Sequence, residues 1–254
     1  MTGSALRAAV VVPALNEAPT IRDVVEGVCA HATDVIVVDD GSTDGTGDRL
    51  AGLPVTVLRN ERTCGKAASL WRGARHAMQG PVEGIVTIDG DGQHDPHELP
   101  RLLEAAERHR SAIIIGSRLH AKALIPKARY RANRFANFWI AWAAGCPIDD
   151  SQSGFRVYPR AIFERLDVRH DRTASFVFES EVLIDAARQG FAIVCVPVSV
   201  RYGGSARPSH FRPVADIARI VAMVAGKLLA RGLALPSLAR SLGLIGRTQG
   251  DPRR

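Results

Sequence analysis

Short runs of β-branched and other apolar residues alternate with longer amphipathic stretches through the first 120 positions, and each run closes on a Gly, Asp or Pro cluster where a turn must fall. The pattern predicts strands over 8–12, 35–38, 55–58, 84–88 and 112–115, with helices at about 17–31, 44–51, 66–79 and 97–109 between them. Strand, helix, strand in this order builds an α/β fold, a mostly parallel sheet with helices on both faces. Ligands gather beyond the carboxyl ends of such strands, so the polar cluster after each strand is where chemistry is expected.

After residue 116 the pattern changes. Arg118 to Arg134 holds six Lys/Arg and no acid; a helix carrying Phe135, Phe138, Trp139 and Trp142 follows, then the polar turn Asp149 to Gly154. A helix near 178–189 and a strand at 192–198 resume the sheet. From about Pro213 the chain reads as one helix to roughly Arg231 and a second over 237–246, which divides it into a domain over 1–212, in halves of about 1–118 and 119–212, and a tail over 213–254. The tail interleaves Ile217, Ile220, Val221, Val224, Leu228 and Leu229 with Arg219, Lys227 and Arg231. Such an amphipathic helix lies in a membrane interface, or packs against the domain or a second subunit.

Composition changes the picture in two places. At 254 residues, 46% hydrophobic and 23% charged, the chain is globular, which excludes disorder and collagen-like structure. The net charge of +7 is a tail property: residues 201–254 carry ten Lys/Arg against Asp216 and Asp251, while the first 200 hold 23 basic and 24 acidic residues. The tail has no aromatic after Phe211 and is rich in Leu, Ile, Val and Ala, so an anionic membrane suits it better than nucleic acid. Cys29, Cys64, Cys146 and Cys195 form no C-x-x-C pair, which argues against zinc knuckles and a secreted disulfide framework and for a reducing cytoplasm. The apolar run after Arg7 is too short for a secretory core, and no stretch reaches the ~20 residues of a bilayer crossing.

The strongest chemical signal is Asp89-Gly90-Asp91-Gly92-Gln93-His94-Asp95-Pro96, directly after a strand. Two carboxylates two positions apart at a strand end can both turn toward a hard divalent cation that keeps sites open for phosphate oxygens. A calcium loop would need Gly and Glu where His94 and Pro100 stand. A second cluster, Asp39-Asp40-Gly41-Ser42-Thr43-Asp44, follows the second strand, where an acid can accept from a ribose or base; Asp44 or Thr43 equally suits a cap on the next helix. The first strand ends in Pro13-Ala14-Leu15-Asn16-Glu17 rather than the G-x-G-x-x-G of a dinucleotide-binding oxidoreductase. Glu17 either caps the helix or reaches a nucleotide.

Taken together, Pro13 to Glu17, Val38-Asp39-Asp40-Gly41-Ser42, the Asp89 to Pro96 block, Gly116-Ser117-Arg118 and Asp150-Ser151-Gln152-Ser153-Gly154-Phe155 resemble the family 2 glycosyltransferases of GT-A fold. The nearest branch is the polyprenyl-phosphate (dolichol-phosphate) mannosyl- and glucosyltransferases. The resemblance implies that Pro13, Leu15, Glu17, Asp39, Asp40, Asp89 and Gly90 hold a nucleoside-diphosphate sugar, and that Asp89, Asp91 and Gln93 bind Mg²⁺ or Mn²⁺. Leu15 stands where that branch often has tyrosine. Arg118, with Arg129, Arg131 or Arg134, matches basic residues near the donor and acceptor phosphates. Guanidinium groups there would stabilise the charge that builds on a departing diphosphate.

Asp150 would act as general base on an acceptor hydroxyl, or would only orient groups if the acceptor is an ionised lipid phosphate. Glu179 and Glu181 serve either the helix dipole or the acceptor side. His210, in Ser209-His210-Phe211-Arg212, is a candidate for the metal or diphosphate. The Q-x-x-R-W signature of processive synthases is missing, which favours transfer of a single sugar. The expected protein is thus a cytoplasmic enzyme, inverting as the resemblance implies, that acts at the inner face of a membrane on a lipid-linked or other small acceptor, with self-association open. A nucleotide-dependent oxidoreductase and a non-catalytic nucleotide-sugar binding module are the rival classes.

Overall fold

The computed structural model describes residues 6–119, 125, 127–166, 177–199, 213–230 and 232–242. Among them the alternating pattern becomes β1 (Ala8–Ala14), α1 (Ile21–Cys29), β2 (Val35–Asp39), β3 (Thr56–Arg59), α2 (Lys66–Ala77), β4 (Gly84–Thr87), α3 (Leu99–Arg108) and β5 (Ala112–Ser117). The second half adds α4 (Lys127–Ala144), β6 (Arg156–Pro159), α5 (Arg160–Arg165), α6 (Val177–Arg188), β7 (Ala192–Pro197), α7 (Pro213–Leu229) and α8 (Leu235–Ser241). The seven strands form one sheet in the order β3-β2-β1-β4-β6-β5-β7. Two apolar cores, one on each face, bury both sides of β1, β2, β4 and β5, as expected of a sheet between helical layers.

Two differences from the sequence-based expectation matter. The helix expected over 44–51 is only a 3₁₀ turn at Asp48–Leu50. Gly45 has φ 85°, and Asp44 spends its carboxylate on the loop instead of capping a helix, accepting from Thr46 N, Thr46 Oγ1 and Ala18 N. The second difference is β6, which pairs antiparallel with both β4 and β5 in an otherwise parallel sheet. A four-residue strand that begins with arginine and ends with proline carries almost no strand signal. Its reversed direction brings the chain entering β6 to the same edge as the chain leaving β4 and β5.

The described part of the tail packs on the domain. Ile220, Val224 and Leu228 are 0–2% exposed and join the core that holds α4 and α6. Each contributes roughly 1.5–3 kcal/mol by leaving water. Lys227 Nζ meets Asp185 at 2.6 and 2.7 Å and Glu181 at 3.2 Å. The amphipathic stripe of α7 is therefore used inside the molecule, while Leu229, Leu235 and Leu242 stay exposed. No helix among the described residues is long and apolar enough to cross a membrane.

Candidate active site

The ends of β1, β2, β4 and β5 and the turn entering β6 converge on one edge of the sheet. After β4 the chain runs through Ile88 into Asp89, Gly90 and Asp91. Thr20 Oγ1 donates to Gly90 O at 2.7 Å, and Gly92 takes φ 74°, a left-handed turn open to glycine without steric cost. Asp91 Oδ1 accepts from the backbone N–H of the buried Gln93 at 3.0 Å. Gly154, opposite, leaves room for Asp89: a Cβ there would lie 2.7 Å from the Asp89 Cγ. Its carbonyl is pinned by Thr87 Oγ1 at 2.9 Å.

The electrostatics of the pair are unequal. Burial works against the charge on Asp89, but Lys66 above all, with Arg118, outweighs it and holds its carboxyl below the usual range. Burial and the neighbouring Asp89 push the Asp91 carboxyl up. Two carboxylates whose charges oppose each other, with oxygen donors only, fit a hard divalent cation completed by phosphate oxygens or water. Among the described residues no group of three or more His, Cys, Asp or Glu is placed to hold a metal ion.

Among the described residues three cations frame the edge. Lys66, the first residue of α2, bridges Asp89 Oδ1 at 2.7 Å and Glu179 Oε1 at 2.8 Å. Arg118, at the end of β5, is gripped by Asp150: its Nε and Nη2 donate to Oδ2 and Oδ1 at 2.9 and 3.1 Å, and its backbone N–H donates to Oδ2 at 3.0 Å. Burial opposes the charge on Asp150, but Arg118 overcomes it and keeps the carboxyl below its usual value. Arg156 lies fully buried under the turn and donates to Ser151 O and Ser153 O at 2.7 Å each, and to Tyr158 Oη and Glu179 O at 2.9 and 3.0 Å. Beneath them His94 is 2% exposed, edge-on to Phe155, with neither ring nitrogen hydrogen-bonded. Burial, then the charge of Arg118, lowers its pKa to about 3, so the ring is neutral.

The edge beside β1 and β2 holds the remaining expected residues. Asp39 is fully buried; Oδ1 accepts from Ser42 N at 2.8 Å and Oδ2 lies 3.6 Å from Arg59 Nε without a hydrogen bond. Asp40 is committed to the loop before α2, accepting from Asn60 Nδ2, Cys64 N and Gly65 N at 2.6, 2.9 and 2.8 Å. Glu17 N donates to Thr46 Oγ1 at 2.8 Å, and its side chain is buried beside the same loops. Pro13 is buried within β1, and Leu15 is partly exposed just beyond it.

Other expected residues lie elsewhere. Glu179 joins the site, but Glu181, two positions along the helix, faces away and pairs with Lys227. Arg131 and Arg134 are exposed on α4, and Arg134 lines a cavity of 430 Å³ together with Ser117, Tyr130, Phe138, Cys195 and Leu242. His210 and the Arg129 side chain lie outside the described residues. Lys66 and Arg156 are site residues that the sequence motifs do not single out. A lysine opening a helix, where a positive end disfavours cations, is the signal that would have flagged Lys66.

Known proteins resemble this chain in sequence and in fold. The profile described as "Glycosyl transferase family 2" matches residues 9–167. A polyprenol monophosphomannose synthase of Mycolicibacterium smegmatis is 31% identical over 205 residues, covering 76% of this chain and 77% of its own. An undecaprenyl-phosphate mannosyltransferase of Micrococcus luteus is 29% identical over 214 residues, covering 76% and 83%. Among solved structures, glucosyl-3-phosphoglycerate synthase from Mycobacterium tuberculosis in complex with Mn²⁺, uridine diphosphate and phosphoglyceric acid superposes with a TM-score of 0.64 at 21% identity, covering 89% of this chain and 78% of that one. That likeness establishes the GT-A fold.

Proposed function

The chain belongs to glycosyl transferase family 2, and from that premise we propose that it moves a single sugar, with inversion, from a nucleoside-diphosphate sugar to a polyprenyl phosphate. The observation that carries the acceptor class is the Arg118–Asp150 pair. Both oxygens of Asp150 are taken by Arg118 and the carboxyl is depressed, so it is a poor base for a hydroxyl. An ionised phosphate needs no base. The names of the relatives from Mycolicibacterium smegmatis and Micrococcus luteus support the same acceptor.

In this reading an acceptor phosphate oxygen attacks the anomeric carbon while the bond to the donor diphosphate breaks, and the nucleoside diphosphate leaves as an anion with no proton moved. Asp150 orients the Arg118 guanidinium, which would meet the phosphates with the donors that Asp150 leaves over. A divalent cation, when bound, would be held by Asp89, Asp91 and the Gln93 amide, and would offset charge on the leaving diphosphate. The unbonded Asp39 Oδ2 suits a donor from the base or ribose. Asp40 would act at one remove, by shaping the loop that Lys66 follows.

The acceptor would enter beside α4, where the 430 Å³ cavity mixes the apolar Phe138 and Leu242 with Arg134 and Tyr130. Exposed Phe135, Phe138, Leu229, Leu235 and Leu242 give a lipid surface something to meet next to Arg131 and Arg134. The test is incubation with Mn²⁺ or Mg²⁺, a panel of GDP- and UDP-sugars, and either polyprenyl phosphate or the dephosphorylated polyprenol. Glycolipid and free nucleoside diphosphate should form with the phosphate only. Product formed on the alcohol instead would overturn the acceptor assignment and restore a base to the site.

A further inference from the structure

Lys66 follows Gly65, at φ 96°, and opens α2, so its ammonium lies at the positive end of a helix, which attracts anions and disfavours cations. Two carboxylates keep it there, Asp89 at 2.7 Å and Glu179 at 2.8 Å. The side chains of Lys66 and Asp89 are 28% and 24% exposed, whereas that of Glu179 is 6% exposed. The contact with Asp89 is thus at the mouth of the site, and the contact with Glu179 is its inner anchor. Asp89 is also one of the two carboxylates suited to a divalent cation. Lys66 therefore already occupies an oxygen that the ion would use.

We propose that Lys66 is a placeholder cation: without nucleotide it neutralises Asp89, and when a nucleoside diphosphate and a divalent cation arrive together it passes from Asp89 to a diphosphate oxygen while Glu179 keeps it within reach. The inference rests on the proposed metal–diphosphate site. The four-carbon stem gives the ammonium the travel, and three donors let it keep Glu179 while it gains a phosphate. Ammonium and metal ion compete for Asp89 in the absence of phosphate. With phosphate both have anionic oxygens to share, so each ligand favours the other. Metal and nucleotide binding then become reciprocal and cooperative, with no movement of the backbone required.

The experiment measures Mn²⁺ binding to the whole chain from the electron paramagnetic resonance of the free ion, with and without GDP or UDP, and nucleotide binding without metal by calorimetry. Wild type should bind Mn²⁺ weakly alone and roughly tenfold or more tightly with its preferred nucleoside diphosphate, within the usual range of coupling. Lys66→Gln should bind Mn²⁺ alone about tenfold more tightly than wild type, lose most of the nucleotide-induced gain, and bind the nucleoside diphosphate alone more weakly. Lys66→Arg, which keeps the charge, should stay close to wild type with Mn²⁺ alone and guards against a folding defect in the glutamine variant. If Lys66→Gln leaves Mn²⁺ binding alone unchanged or weaker while wild type still binds Mn²⁺ with nucleotide, the placeholder role is overturned by itself. If wild type binds no Mn²⁺ with any nucleoside diphosphate, the metal reading and this inference fall together.

Discussion

The Asp89 carboxylate fills the space where a side chain on residue 154 would begin. A Cβ on Gly154 would stand 2.7 Å from the Asp89 Cγ, well inside contact distance. The glycine is thus demanded by a neighbour 65 positions away in the chain, and the turn before β6 sets how far Asp89 reaches.

Gly154→Ala should therefore displace Asp89 rather than unfold the protein. Crowding of this kind costs about 1–3 kcal/mol of stability, while a misplacement near 1 Å can cost about 100-fold in rate. Nucleotide release under saturating Mn²⁺, compared with the chemical denaturation midpoint, separates the two. A variant with wild-type turnover would mean that Asp89 is not where the chemistry happens.

The Arg118–Asp150 pair predicts a pH signature. Because the folded carboxyl of Asp150 is held below its unfolded value near 3.9, its stabilisation is complete above that pH and drains away as pH falls toward the folded value. Asp150→Asn should cost roughly 3–5 kcal/mol at pH 7, since it leaves a buried guanidinium without its counter-charge. That deficit should narrow in urea titrations run below pH 4. A deficit that stays constant with pH would show that the charge on Asp150 is not what matters.

Arg156 supports the same turn from beneath. Lysine at this position keeps the charge but cannot donate at once to Ser151 O, Ser153 O, Tyr158 Oη and Glu179 O. Arg156→Lys should cost about 1–3 kcal/mol for each buried acceptor left without its donor and loosen the turn that carries Gly154. Faster amide exchange at 151–155 is the expected readout.

Docking of α7 on the domain should register as stability. Leu228→Ala removes a side chain that is 2% exposed between α7 and the domain, and should cost about 2–5 kcal/mol. Lys227→Met should cost less, because its partners Asp185 and Glu181 remain partly exposed. If Leu228→Ala left the denaturation midpoint unmoved, α7 would not be part of the folded domain in solution.

Much of this molecule is legible in the chain because its signals are local. The β-branched runs at β1, β2, β4 and β5 and the turn residues after them need only neighbours in sequence to be recognised, and Asp89 and Asp91 stand out by their place after a strand. What escapes depends on distant partners. Nothing near Lys66 tells that Asp89 and Glu179 flank it, nor does anything near Arg156 tell that four acceptors surround it. The four residues of β6 are too few, and too polar at one end, to announce a strand between β4 and β5. The amphipathic stripe of α7 is plain in the sequence, but an apolar stripe suits lipid and protein alike, and only the facing α4 and α6 decide between them.

The order of residues by itself determined a parallel-type sheet, the carboxylate pair at a strand end and the basic segment after β5, since periodicity and turn chemistry act over a few positions. The tertiary structure alone decided that β6 runs backwards, that Asp150 serves Arg118, that Glu181 turns away from Glu179's site, and that Lys66 rests on Asp89. Those are contacts between segments brought together by burial of the two cores, and burial is a property of the whole chain.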